Sequence, residues 1–452
     1  MLMIRLKDNS PVPGSSDSDD KKSSHPFECL KNESFSTLKN DGIVTFPYFK
    51  QDLDVINANA PLFTGTSSDD TFVGDYLGVI NVKLKEKVNQ KETYQSAFIT
   101  SRFCTDTNDY FLYYMLERVF NFPIIEQLTT QERADTYFSL LICSFPRLFK
   151  QALVKGLFRQ YRTFAHNDSN VRGTIDINRQ IKTNVPFLGK IAYRTREYTD
   201  DNWLIYLICA TIQAVKASPF RTMLTKDPEL NLLANHILQI GHHFTRYTTW
   251  QIINQNERHP IHHAYYLEYQ PLQRLCLAIL KHQATKYSNA VEETNGILFN
   301  ASWLFEEYVN KLLAPSFDHP DNRHQTKAQK LFANNNDYLF YPDFIGKDQL
   351  QVVADTKYKD FSKNNVHVHD DLLQILAYMY RLAFNAGVLI YPDTLNPGTG
   401  KPDHQKLELI HSPAANIYRY SIGVCIQAPD YHTFKQIIHQ REKELIRFIT
   451  EL

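Results

Sequence analysis

Cysteine is sparse in this sequence of 452 residues and shows no paired spacing. The six cysteines include no C-x-x-C pair, and the nearest two, Cys104 and Cys143, are dozens of residues apart. This spacing excludes a disulfide framework and a clustered zinc site. We therefore expect buried free thiols and a reducing, cytoplasmic location.

Long apolar runs are lacking as well. The longest, Trp203 to Ile212, is far shorter than the ~20 residues that a membrane-spanning helix needs. The N-terminal segment Met1 to Leu6 turns polar too soon for a secretory signal. The sequence therefore predicts a soluble protein with no membrane partner.

An excess of charge of one sign is also absent, because 49 Lys and Arg residues balance 49 Asp and Glu residues. A chain-wide basic surface for nucleic acid is excluded, so any such contact must be local. The segment Gly398-Thr399-Gly400-Lys401 superficially resembles a phosphate loop, but Pro402 replaces its Ser or Thr and Leu395 its first glycine. The sequence therefore shows no NTPase motif.

What the chain does contain indicates several folded domains. At roughly 150 residues per domain, its length predicts two or three, and 43% hydrophobic with 22% charged residues is typical of globular proteins. We expect a disordered tail over residues 1–25, an α+β N-terminal module over 26–150, a mainly helical middle region over 151–285 and an α/β domain over 286–452.

Hydrophobic periodicity predicts the elements of the last domain. They are a helix over 295–313, strands over 338–344 and 350–354 joined by a turn at 346–348, a helix over 370–384, strands over 388–391, 407–410 and 418–426, and a helix from 431. Upstream, we expect strands over 42–46 and 78–82, a helix over 110–120, and a strand or loop over 172–177. The C-terminal order indicates a sheet covered by helices.

Candidate catalytic residues lie on the predicted hairpin. Asp343 ends the first strand, and Asp355 and Lys357 end the second. Because side chains alternate along a strand, Asp355 and Lys357 point to the same face, and strand pairing brings Asp343 close to them. Two carboxylates and one ammonium suit Mg²⁺, or Mn²⁺ in its place, bound together with a phosphodiester.

Two predicted helices carry further candidates. Glu306 would supply a third carboxylate to the metal, and Gln374 would orient water or phosphate. Taken singly, a Pro-Asp pair is commonly a turn and an Asp/Lys pair on a strand is commonly a solvated ion pair. The ordered set of five residues, each on a suitable element, favours a hydrolytic site over these structural interpretations.

This ordered set resembles the core of PD-(D/E)xK nucleases. The segments LFEEYV, YPDFI, VVADTKYK, DLLQILAYMYRL and GVLIYP are similar to those of the McrC family, the nuclease subunit of McrBC-type modification-dependent restriction systems. The similarity extends upstream through RGTIDINRQIKTNVPF and REYTDDNWLIYLI. It implies a central mixed sheet flanked by helices, metal-binding acids at Asp343, Asp355 and Glu306, a catalytic Lys357, and Gln374 on the following helix.

The resemblance also implies a function in defence. The chain would be a Mg²⁺-dependent DNA endonuclease subunit, recruited and activated by an McrB-like AAA+ GTPase ring whose hydrolysis it stimulates, with docking assigned to residues 26–150. Two alternatives remain open. One is a non-catalytic adaptor, against which the intact Asp343, Asp355 and Lys357 argue. The other is a nuclease of the same superfamily that acts on RNA or on branched DNA.

Overall fold

A computed structural model describes residues 3–12, 32, 43–47, 61–65, 71–85, 92–105, 108–121, 136–287, 295–320, 329–330, 332, 339–359, 368–394, 404–409 and 412–452. Most of the predicted tail, residues 13–25, and the loop at 395–401 lie outside these residues. Residues 3–7 form a strand, which corrects the prediction of disorder there. Within the described chain the cysteines form no disulfide; Cys104, Cys143, Cys209 and Cys276 are buried, as expected, whereas Cys425 is only partly buried.

The strands are β1 (Met3–Lys7), β2 (Ile43–Phe46), β3 (Phe63–Thr64), β4 (Phe72–Val73), β5 (Tyr76–Lys85), β6 (Glu92–Thr100), β7 (Gln160–Asp168), β8 (Thr174–Ile175), β9 (Ile191–Thr199), β10 (Asn295–Asn300), β11 (Phe317–Asp318), β12 (Gln329–Lys330), β13 (Leu339–Phe340), β14 (Phe344–Gly346), β15 (Val352–Thr356), β16 (Ala386–Thr394), β17 (His404–Leu409) and β18 (Ser412–Val424). The α-helices are α1 (Tyr110–Phe120), α2 (Thr136–Leu153), α3 (Ile177–Thr183), α4 (Trp203–Ala217), α5 (Thr222–Thr225), α6 (Pro228–Ile240), α7 (Thr249–Arg258), α8 (Tyr269–Tyr287), α9 (Ala301–Leu313), α10 (Val368–Leu382) and α11 (Tyr431–Thr450).

The chain forms two compact units, one built from residues 1–137 and 292–452 and the other from 138–291. The prediction of separate N-terminal and C-terminal domains is therefore corrected. The reason is β10, which enters the N-terminal sheet between β5 and β2, in the strand order β1-β6-β5-β10-β2. Backbone pairing across more than 200 residues of sequence thus joins both ends of the chain in one unit.

The same strand corrects the helix predicted over 295–313. Residues 295–300 are extended, and the helix begins only at Ala301, where the Asn300 side chain caps it by accepting from the backbone N of Trp303 at 2.9 Å. Gly296 permits the strand to approach β5, because a Cβ there would lie 2.8 Å from the carbonyl oxygen of Val79.

The second sheet of this unit has the order β11-β14-β15-β16-β18-β17. Strands β15, β16 and β18 are parallel, whereas β14 and β17 pair antiparallel at either side. Ile375 and Met379 of α10 pack with Val353 and Ile417 on one face. The ring of Phe448 from α11 contacts Tyr418, whose side chain points opposite to that of Ile417. The mixed sheet flanked by helices is thus present.

The predicted hairpin is present with one difference. Strand β14 pairs antiparallel with β15, as expected, but the strand predicted over 338–344 is interrupted. Residues 339–340 instead pair with β12, and β14 starts after Pro342. Proline has no N–H to donate, so it commonly ends strand pairing.

The second unit is mainly helical, as predicted, and includes α4, α6, α7 and α8. It also contains a sheet in which β9 lies between β7 and β8. The segment predicted as a strand or loop over 172–177 includes the short strand β8, whereas the sequence analysis missed β7 and β9. Strand β7 alternates only between half-buried and exposed positions, whereas β9 contains two consecutive buried residues, Ala192 and Tyr193, followed by mostly exposed ones. Polar residues occupy both faces of each strand, so their apolar alternation is weak. No helix of the described chain is by itself long and apolar enough to cross a membrane; Trp203–Ala217 and Pro219–Thr225 meet that test only as a pair bent by 109°.

Candidate functional site

The five predicted site residues come together at one edge of the six-stranded sheet. In the β14–β15 register Phe344 faces Ala354, so the next pair is Asp343 and Asp355. Lys357 follows β15, Glu306 lies on α9, and Gln374 lies on α10. The strand geometry inferred from the sequence therefore describes this edge correctly.

Lys357 is held by two of the other predicted residues. Its ammonium forms an ion pair with the Asp355 carboxylate and donates to Oε1 of Gln374 at 2.9 Å. Nε2 of Gln374 donates to the Tyr378 hydroxyl at 2.6 Å, and that hydroxyl donates to the carbonyl oxygen of Tyr341 at 3.2 Å. Because an ammonium only donates, this chain fixes which end of the Gln374 amide faces the lysine.

Asp343 is held by a residue that the sequence analysis did not select. Its Oδ2 accepts from both the backbone N and the hydroxyl of Thr356, each at 2.8 Å. Thr356 stands between Asp355 and Lys357 in the sequence. The central residue of the Asp-Thr-Lys segment thus orients the acid on the neighbouring strand.

Burial and crowding make the two aspartates weak acids. Removal from water raises the pKa of Asp343 to about 7, and the negative charge of Glu306 adds to the effect. Burial likewise raises the pKa of Asp355 to about 7, with a further contribution from Asp343. Burial opposes the charge on Lys357, but its ion pair with Asp355 prevails and leaves the lysine pKa above its ordinary value.

Glu306 faces a histidine that the sequence analysis also missed. Nε2 of His319 lies 3.6 Å from Oε1 of Glu306, and Nδ1 of His319 lies 2.8 Å from the carbonyl oxygen of Asp343. His319 follows the two-residue strand β11, which pairs with β14 and so places it beside Phe344. A strand this short leaves no periodic signal in the sequence that would have identified the residue.

The donor set fits a hydrated divalent cation better than a fully enclosed one. Among the residues with described coordinates, no three or more His, Cys, Asp or Glu side chains are arranged to hold a metal ion. Mg²⁺ does not require such a cage, because it commonly uses one or two carboxylates and completes its shell with water and phosphate oxygens. Asp343 and Asp355, two adjacent acids that repel each other's charge, meet that description.

A different kind of surface lies in the second unit. We call β7, β8, β9 and α3, with their connecting loops, the arginine-rich sheet; residues 159–199 hold eight Arg or Lys and three Asp or Glu residues. Nine of the 18 large apolar side chains that are exposed in the described chain lie here. They are Tyr161, Val171, Ile175, Ile177, Ile181, Val185, Phe187, Leu188 and Tyr198. Such a concentration is typical of a protein-binding surface.

Comparison with known proteins gives one family. The sequence model of the family described as "McrBC 5-methylcytosine restriction system component" matches residues 73–392, a range that includes the arginine-rich sheet and all five predicted site residues. No curated protein matches the sequence at a significant level.

Two solved structures from Thermococcus gammatolerans are similar to the chain. One is a half-complex from a tetradecameric assembly of McrB AAA+ hexamers with bound McrC, at 14% identity over 97% of this chain and 100% of that chain, with a TM-score of 0.42. The other is a cryo-EM structure of the McrBC complex, at 13% identity over 69% of this chain and 87% of that chain, with a TM-score of 0.32.

Proposed function

The chain belongs to the McrBC 5-methylcytosine restriction system component family, and from that premise we propose that it is the subunit that cuts DNA. The family match covers more than two thirds of the chain and confirms the resemblance seen in the sequence. The subunit is a Mg²⁺-dependent endonuclease that works with an AAA+ GTPase ring of the McrB type.

The observation that supports this proposal most is the contact network around Lys357. An acid and a lysine from the end of β15 and a glutamine from α10 meet at one sheet edge through an ion pair and a 2.9 Å hydrogen bond. A structural ion pair would need neither the second buried acid nor the oriented amide. Four such groups in a small volume form a constellation suited to phosphodiester hydrolysis.

In this mechanism Asp343 and Asp355, with Glu306 nearby, would hold Mg²⁺. When bound, the metal polarises the phosphodiester and lowers the pKa of the attacking water. Lys357 carries a positive charge at neutral pH and stabilises the negative charge that develops on the phosphate. Gln374 fixes the direction of the ammonium, and Thr356 fixes the direction of the Asp343 carboxylate.

The AAA+ ring docks on the arginine-rich sheet. Leu188, Phe187 and Val185 are 85%, 63% and 71% exposed and lie in the turn between α3 and β9. Leaving this apolar surface in water is unfavourable, so a partner that covers it gains free energy. These residues support docking at 159–199, rather than within the 26–150 segment that the sequence analysis selected.

The deciding experiment combines the purified chain with its AAA+ partner, GTP and DNA containing 5-methylcytosine. We expect double-strand cleavage that requires Mg²⁺ or Mn²⁺ and stops in excess EDTA. Full cleavage in EDTA would contradict the mechanism. If the Asp355→Ala variant supported as much cleavage as wild type, the result would favour the non-catalytic adaptor. Cleavage of RNA or branched DNA without the partner would favour the other nuclease class.

A further inference from the structure

His319 touches two of the acids of the proposed nuclease site although it is not one of the predicted site residues. It lies at the edge of the six-stranded sheet, directly after β11. The β11–β14 register pairs Asp318 with Ile345, so its continuation sets His319 beside Phe344 and next to Asp343. The edge strand therefore delivers one imidazole to this site.

Both ring nitrogens of His319 face site residues. Nδ1 lies 2.8 Å from the backbone carbonyl oxygen of Asp343, and a carbonyl only accepts, so Nδ1 carries a proton and donates it. That contact turns Nε2 toward Oε1 of Glu306, 3.6 Å away, a distance at which the ring packs against the carboxylate without a hydrogen bond. The ring thus spans the gap between a residue on α9 and the start of β14.

Packing restricts the orientation of the ring. It stacks on Phe344 with centroids 5.0 Å apart and planes 25° from parallel, and its side chain is only 18% exposed. Phe344 is itself fully buried and belongs to β14. A ring held by a stack and a backbone hydrogen bond provides a fixed contact for the Glu306 side chain.

We propose that His319 is a positioning residue that holds Glu306 beside Asp343, so that a divalent cation meets carboxylates that are already assembled. This inference rests on the proposed function, since it concerns the same site. Groups that orient metal ligands commonly change metal affinity or activity by about 10- to 100-fold when removed. His319 acts through Glu306 and does not itself contact the metal or the DNA.

A purely structural role would have a different consequence. If His319 only packed β11 against β14, its removal would lower stability and would not depend on whether Glu306 is present. If it acts through Glu306, the two side chains form one unit, and removing both has little more effect than removing one. A double-mutant cycle read by metal binding separates these roles.

The experiment measures Mn²⁺ binding to the full chain without DNA, from the electron paramagnetic resonance signal of free Mn²⁺. We expect His319→Ala and Glu306→Ala each to weaken binding about 10- to 100-fold, and the double variant to be within about threefold of the weaker single variant. His432→Ala, an exposed histidine on α11, serves as the matched control. The thermal unfolding midpoint of each variant is measured in parallel.

Two results would overturn the proposal: wild-type Mn²⁺ affinity in His319→Ala, or effects of the two single variants that multiply in the double variant. Should His319→Ala fail to fold, His319→Asn replaces it, because the shorter amide can still donate to the Asp343 carbonyl but does not reach Glu306. Wild-type affinity in His319→Asn would then contradict the proposal. The Asp355→Ala variant tests the proposed function separately. Unchanged Mn²⁺ binding in this variant would show that Asp355 is not a metal ligand and would contradict the proposed metal site.

Discussion

We call the edge of the six-stranded sheet that carries Asp343, Asp355 and Glu306 the acidic edge. Compared with the usual distribution of residues in proteins, it and the arginine-rich sheet depart in opposite ways. At the edge, the charged side chain of Asp355 is only 1% exposed, whereas in the arginine-rich sheet the apolar side chain of Leu188 is 85% exposed. Buried charge and exposed apolar surface are both unfavourable in an isolated chain. We propose that a cation completes the first region and a partner protein the second.

Charge distinguishes the two regions as well. The whole chain has no formal net charge, yet residues 159–199 are strongly basic and the acidic edge brings several acids together. Arg194 pairs with Asp176, and the Arg196 guanidinium lies 4.6 Å from the centroid of the Tyr161 ring, so part of the basic charge organises the sheet itself. The zero net charge of the whole chain therefore includes one local region rich in basic residues and another in which acidic residues cluster.

The largest effect is expected at the acidic edge. Asp343→Ala, Asp355→Ala and Lys357→Ala should each reduce DNA cleavage by about 10³-fold or more, because each removes a group that binds the cation or stabilises the transition state. Asp370→Ala, which removes an exposed acid from the first turn of α10, is the control. Cleavage within about tenfold of wild type in any of the first three variants would refute the assignment of that residue.

The second prediction tests the arginine-rich sheet. Replacing Phe187 and Leu188 together by Ser should weaken binding of the AAA+ ring about 30-fold or more, as loss of central apolar contacts does at other interfaces. Leu232→Ser, which changes a 72% exposed leucine on α6, is the matched control. The measurement is GTP turnover of the ring titrated with each variant.

The same titration shows whether the two regions act independently. Asp355→Ala should stimulate GTP turnover as wild type does, because it changes only a buried residue at the acidic edge. Normal stimulation by the Phe187/Leu188 variant, or none by Asp355→Ala, would contradict the division of roles between the two regions.

The third prediction concerns pH in the absence of metal. Asp343 and Asp355 have folded-state pKa values of about 7, against an unfolded value of about 3.9. The folded protein therefore binds more protons between these values, and its free energy of unfolding falls as the pH rises from about 4 through 7. Asp343→Asn removes one titrating group, and the loss of its charge also lowers the pKa of Asp355. The free energy of unfolding of this variant should therefore fall less than that of wild type as the pH rises over the same range.

The measurement for this prediction is the thermal unfolding midpoint in EDTA at pH 5 and pH 8, for wild type and Asp343→Asn. Asp8, a buried acid whose pKa burial also raises to about 7, is present in both proteins, so its contribution cancels in the difference. If the unfolding midpoint changed equally between pH 5 and pH 8 in the two proteins, the site acids would not titrate in this range. Added Mn²⁺ should restore the midpoint of wild type at pH 8, because it binds the ionised acids.

The smallest effect is expected for Gln374. Gln374→Ala leaves both aspartates and the lysine in place and removes only the acceptor that directs the ammonium, so cleavage should fall about tenfold. Glu306→Ala should likewise be milder than loss of either aspartate. Gln405→Ala, an exposed glutamine on β17, is the control. A loss as large as that of Lys357→Ala would show that Gln374 does more than orient the lysine.

Much of the acidic edge was predictable because its signals are local. The α10 and α11 helices follow from apolar spacing, and β15 and β16 follow from short apolar runs of 4–8 residues bounded by turns and loops. Alternation along β15 is sufficient to place Asp355 and Lys357 on one face, and a short turn is sufficient to pair β14 with β15. Such properties depend on residues close together in sequence.

The arginine-rich sheet shows the limit of that approach. Its strands β7 and β9 pair over nine residues, but polar residues occupy both faces of each strand, so neither contains the apolar alternation by which a strand is identified. Their stability depends on pairing between segments about 30 residues apart, which no local pattern encodes.

By itself, the sequence determined the family and most of the helices and strands around the proposed site, and it predicted that two aspartates and a lysine would lie close together there. Only the tertiary structure decided that β10 joins the N-terminal sheet, that Thr356 and His319 contact the site, and that the two aspartates have pKa values near 7. The physical reason is that strand pairing between distant segments, burial and charge proximity depend on which residues meet in space. Periodicity and turn residues act within a few positions of the chain and carry no information about those distant neighbours.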